Sequence, residues 1–173
     1  MNTAEIENRI AQAYRDNRTF VPRASVDELK VTFDAASGLA TVSVRPLPTS
    51  SNTIGGNSQF LGGPSNDTLQ ITAQSALVAN KVVWASFPEV KRVYVTVSTE
   101  FTAAGTKVID VAAGIAVDRA SGTKMDFEAL KTSVPAQPRS YFCSADAYFF
   151  QAVVYASIAD KGCLTGATKG SVR

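Results

Sequence analysis

Histidine is absent from this chain of 173 residues. Its absence removes the commonest general base, the commonest zinc ligand and the side chain that titrates nearest neutral pH. Cysteine is scarce: Cys143 and Cys163 are the only two, too few for a cysteine-only zinc site. Charge is thin as well, with Asp, Glu, Lys and Arg at 18% where about 25% is usual. Neither sign dominates, since 17 basic and 15 acidic residues leave +2, and no cationic run exceeds Lys91-Arg92. A nucleic-acid-binding domain concentrates its basic residues, so no nucleic acid is expected as a partner.

Long hydrophobic runs are missing too. A membrane span needs about 18 largely uninterrupted apolar residues. The nearest stretch, residues 141–159, is broken by Ser144, Asp146, Gln151 and Ser157, and no membrane span is expected. Residues 1–20 carry charges throughout and no apolar core of a signal peptide. This favours a cytoplasmic or virion- or assembly-associated location.

What the chain does have is apolar content for a core. Hydrophobic residues reach 45%, which excludes a disordered polymer. A chain of this length forms one domain and buries about 70% of its unfolded surface without metal or disulfide help. The reading is a single α+β domain over 1–164, with a loose tail at 165–173. Residues 2–16 read as an amphipathic helix, with capping-box spacing at Asn2 and Glu5 and Ile6, Ile10 and Tyr14 on one face. Period-two alternation then marks a hairpin (29–33 and 40–44), and a second, longer one (93–98 and 109–117). In the second, Ile109, Val111, Ala113, Ile115 and Val117 are expected on a single face.

Between the hairpins lie an uncharged loop at 46–66 and a helix at 67–87, ended by Pro88. The last third reads as a short helix at 126–131, an extended connector at 134–139 and a long helix from Ser144 to about Asp160. The expected fold class is α+β, in the order α-ββ-α-ββ-α-α: a four-stranded, mostly antiparallel sheet built from two hairpins, with helices on one face.

No constellation of catalytic residues emerges. The Gly55-Gly56 and Gly62-Gly63 pairs lack the Lys-Ser/Thr of a phosphate-binding loop and the spacing of a dinucleotide fingerprint. Asp110 and Asp118 are separated by roughly 26 Å along an extended strand, too far for a glycosidase pair. Clustered carboxylates for a hard cation are absent. Cys143 has no histidine to activate it. Were the 144–160 helix continuous, it would separate the cysteines by about 24 Å, against the 7 Å or so a disulfide tolerates. Two free thiols are therefore expected.

No catalytic residue, cofactor or metal is assigned, and the chain is read as a non-enzyme. The leading expectation is a structural or interaction subunit of a larger assembly, such as a secretion or conjugation apparatus or a phage particle. Its partners would be other protein subunits, in a homo- or hetero-oligomer. The residues expected to make the contacts are Ile54, Phe60 and Leu61 of the long loop and Ile6, Ile10 and Tyr14 of the first helix. The alternative is a small-ligand-binding domain, or an enzyme using Cys143 or a carboxylate.

Overall fold

The structure, a computed structural model, describes residues 2–20, 28–45, 53–54, 57–58 and 64–172. Asn2 caps α1 (Thr3–Asn17) by accepting the Ala4 N–H at 3.2 Å, and a 3-10 turn (Arg18–Phe20) follows. Alternation makes the first hairpin, in which β1 (Glu28–Asp34) and β2 (Leu39–Arg45) pair antiparallel. Ala40, Val42 and Val44 are buried and the residues between them are half-buried, as a sheet with one covered face requires. Asp34 shapes the turn by accepting from the Ser37 hydroxyl at 2.5 Å and the Ala36 N–H at 3.0 Å. These bonds, Ser37 foremost, hold its carboxyl below the usual carboxylate range.

A short antiparallel pair, β3 (Thr53–Ile54) and β4 (Asn57–Ser58), lies within the expected long loop. Then α2 (Pro64–Ser86) crosses back so that β5 (Arg92–Ala103) runs parallel to β2. Parallel neighbours need such a crossover. From Thr68 to Trp84 every residue of α2 is buried except the half-buried Gln70 and Lys81. A helix buried on all sides runs through the interior, and this one contacts the sheet and the other helices.

The second hairpin continues with β6 (Thr106–Asp118), antiparallel to β5. The chain then forms α3 (Arg119–Gly122), α4 (Phe127–Ala136) and α5 (Pro138–Ser144), with Pro138 at the first helical position, where a missing N–H costs nothing. β7 (Ala147–Phe150) adds to β6, α6 (Ala152–Ser157) follows, and β8 (Thr168–Lys169) adds to β7. The fold is α+β: a six-stranded, mixed, mostly antiparallel open sheet in the order β1-β2-β5-β6-β7-β8, with helices packed against it.

The expected four strands are thus corrected to six. The long helix at 144–160 is replaced by the end of α5, β7 and α6. Tyr148, Phe149 and Phe150 suit a strand as well as a helix, and a short apolar run is ambiguous by periodicity alone. The open edge of β6 decides it: Ile115 pairs with Tyr148 and Ala113 with Phe150, and Phe142, Tyr148 and Phe150 form one aromatic cluster. The connector at 134–139 is likewise mostly helical, joining α4 to α5.

Breaking that helix also overturns the expectation of free thiols. Cys143 and Cys163 are disulfide-bonded, with Cα atoms 6.0 Å apart. The segment expected as a loose tail contains β8, and Arg92 Nη1 donates to the Ser171 carbonyl at 2.8 Å.

Candidate interaction surface

The β5–β6 hairpin outgrows its neighbours. β2 pairs with β5 only as far as Val97, and β7 pairs with β6 only over Ala113–Ala116. Beyond those points the two strands continue as a ribbon, paired from Ser98↔Val111 to Ala103↔Thr106. Ala104 and Gly105 close it at φ 49° and 79°, the positive-φ pair that a tight two-residue hairpin turn demands. Residues 104–110 are all exposed.

A bulge sits at the root of the ribbon, where Val97 faces Ala113 but Ser98 faces Val111. The extra residue, Ala112, reverses the facing of everything beyond it. Ile109 and Val111 were expected on the face of Ala113, Ile115 and Val117; they lie on the opposite one. Phe101 packs against the main core, so its partner Val108 shares the helix-side face. Ile109 lies on the other face, beside the Glu100–Lys107 ion pair at 2.8 Å. Val108 is 41% exposed and Ile109 54%, and with Val153 they are the exposed large hydrophobic side chains among the described residues.

The structure describes four of the six expected contact residues, and the side chains of three of them. Ile6, Ile10 and Tyr14 are buried within the chain's own core, where α1 contacts β1 and α2. Burial pushes the Tyr14 phenol up to about 12, partly offset by its hydrogen bond with Ser75. Glu7 of the same helix accepts the Phe33 N–H at 2.8 Å, which blocks part of the outer edge of β1. The apolar face of α1 is therefore used up within the molecule. Ile54 falls on β3. Phe60 and Leu61 lie outside the described residues.

Several other polar side chains are turned toward partners in the fold. Asn80, buried on α2, donates to the Ala76 carbonyl at 2.8 Å and the Tyr141 hydroxyl at 3.1 Å, and accepts from Trp84 Nε1 at 2.7 Å. Burial raises the Tyr141 phenol well above its ordinary value, against the opposing pull of Asn80. Arg119 donates to the carbonyls of Phe87 and Val90 and stacks over Trp84. Asp146 accepts from the Asp118 N–H and the Ser121 hydroxyl at 2.8 and 2.9 Å. Arg92 pairs with Asp118 at 2.8 Å, and Tyr94 is buried against Gly114, where a Cβ would stand 2.6 Å from its ring.

A cleft of about 330 Å³ opens between the start of α2 and the α4–α5 junction, lined by Leu69, Gln70, Gln137, Arg139 and Ser140 among others. Two of its polar side chains are engaged, Gln70 donating to the Pro135 carbonyl at 3.0 Å and Arg139 pairing with Asp160 at 2.9 Å. Among the described residues, no three Cys, Asp or Glu side chains are grouped to hold a metal ion, and no helix is long and apolar enough to cross a membrane. The projecting ribbon was hidden from sequence reasoning because the lengths of the flanking strands, not those of β5 and β6, create it. Comparison with protein-family models, curated proteins and solved structures finds no match for this chain.

Proposed function

We propose that this chain is a non-enzymatic structural subunit of a larger macromolecular assembly, and that its β5–β6 ribbon is the part that enters a neighbouring subunit. The observation that carries the reading is the exposure of Val108 and Ile109 on opposite faces of that ribbon. A lone exposed Ile needs no explanation. A two-stranded ribbon with an apolar side chain on each face is different, because such a ribbon is marginal on its own and gains stability when another surface closes round it. Val108 and Ile109 are about half exposed, so covering each contributes about 1 kcal/mol.

The ionisable side chains support a role in contact rather than chemistry. Arg92, Arg119, Arg139 and Lys169 all hold backbone or carboxylate partners inside the fold, and Cys143 is bridged rather than free. The low overall charge fits a surface that other chains cover. The partner is another protein subunit, identical or different, in a setting such as a secretion or conjugation apparatus or a phage particle.

Light scattering tests this on the purified chain, together with recovery of partners from the source cell. A mass above the 18.3 kDa of one chain, or a stoichiometric partner, is expected. Ile109→Asp should weaken either association roughly 10- to 100-fold while leaving the circular dichroism spectrum unchanged. A strict monomer with no partner, or an association indifferent to Ile109→Asp and Val108→Asp, would refute the assignment.

A further inference from the structure

The Cys143–Cys163 bridge spans a sequence separation of 20 and ties the end of α5 to the loop that follows α6. Beyond it the chain runs back along the sheet. Ile158 and Leu164, on either side of Cys163 in the chain, are buried. Further on, the grip becomes mostly polar. The Thr165 N–H donates to the Tyr148 hydroxyl at 3.2 Å, and the Phe150 N–H to the Ala167 carbonyl at 2.7 Å. Val172 packs beside Tyr94, Ala116 and Ala147.

Lys169 couples this segment to the bridge. Its ammonium donates to the carbonyls of Cys143 and Ala145 at 2.8 and 2.7 Å, the same turn that the bridge anchors. Cys163 is exposed and Cys143 half-buried, so an external thiol can approach the Cys163 side. What lies beneath the segment is Tyr148 and Phe150 of the aromatic cluster and the outer edge of β7.

We propose that this bridge is a redox clasp: oxidised, it holds residues 163–172 on β7; reduced, it releases them and uncovers the β7 edge. In reduction, a thiolate of an external dithiol attacks the Cys163 sulfur and the Cys143 sulfur leaves as a thiolate, which takes up a proton. The second thiol of the reductant then resolves the mixed disulfide and frees Cys163 as a thiol. Two electrons and two protons pass from the dithiol to the protein, and the dithiol becomes a disulfide. Formation is the reverse, with a disulfide-bearing oxidant of the kind found in compartments that support disulfides. None of this depends on what the β5–β6 ribbon contacts.

The test is amide hydrogen exchange on the intact chain before and after treatment with dithiothreitol under native conditions. The untreated protein should be about 2 Da lighter than the reduced form. On reduction, the Phe150 and Thr165 amides should exchange at least about tenfold faster, while Val95 and Ile115 in the sheet centre stay within about twofold. The double variant Cys143→Ser, Cys163→Ser should match the reduced protein; if it does not fold, the reduced wild type decides alone. Unchanged exchange at Phe150 and Thr165 would overturn the clasp. So would a uniform acceleration of every amide, which would make the bridge a support of the whole fold, and so would the absence of the mass deficit in untreated protein.

Discussion

Adding one methyl group at Gly122 should cost this protein a large part of its stability. A Cβ there would stand 2.0 Å from Trp84 Nε1 and 2.3 Å from Cε2, whereas unstrained contacts begin near 3.5 Å, so the ring must retreat by about 1.5 Å. It cannot do so freely. Nε1 donates to Asn80 at 2.7 Å, and a retreat of that size takes the bond out of range. Arg119 lies 4.9 Å from the ring and is itself held by the Phe87 and Val90 carbonyls. Lifting α3 instead would pull Ser121 from Asp146, now 2.9 Å away.

Overpacking costs about 1–3 kcal/mol, and a stranded buried indole N–H about 1–3 kcal/mol more. The expected loss for Gly122→Ala is therefore about 4 kcal/mol, or a fall in Tm of about 8–16 °C for a chain of this size. Urea unfolding followed by fluorescence measures it directly, because Trp84 is the sole tryptophan. Combining Gly122→Ala with Trp84→Ala removes the colliding atoms, so the double variant, followed by circular dichroism, should lose less than the sum by more than about 1 kcal/mol. A loss below about 1 kcal/mol for Gly122→Ala would refute the packing argument, since that is the range of an ordinary surface change.

Alkaline pH should destabilise the fold through its buried phenols. Tyr14 and Tyr141 both hold their protons above the ordinary value, Tyr14 to about 12. Above pH 10 the unfolded chain binds fewer protons than the folded one, so stability is full below that point and falls as pH rises. The Tyr14 share is about 2 kcal/mol by pH 12, and Tyr14→Phe should flatten the slope; a wild-type stability level through that window would count against the burial assignment. At the ribbon tip, Ala104 has φ 49°, a conformation that side chains resist. Ala104→Asn should raise stability by about 0.5–1 kcal/mol in the same urea assay, and a loss would contradict the turn geometry.

Much of the local structure was legible in the residues. Asn2, Ile6, Ile10 and Tyr14 announce α1 by a cap and a helical spacing. The alternation in 29–33, 40–44 and 93–97 marks strands because a pleated chain presents every second side chain to the same face. Pro88 closes α2 by geometry that no neighbour can alter. What those residues touch was less legible: the apolar stripe of α1 reads equally well as a surface for another subunit or for its own sheet, and the fold gave it to the sheet.

Where local preference is balanced, only the assembled sheet decides. Tyr148-Phe149-Phe150 became a strand because β6 offered an unpaired edge, and that one choice shortened the path between Cys143 and Cys163 until they could bond. The bulge at Ala112 turned Ile109 away from the core, and the short reach of β2 and β7 left Val108 and Ile109 in solvent. Short-range pattern dictates which segments can be helix or strand. Pairing register, strand length and the closure of a bridge depend on residues far apart in the chain, and no window of sequence contains both partners.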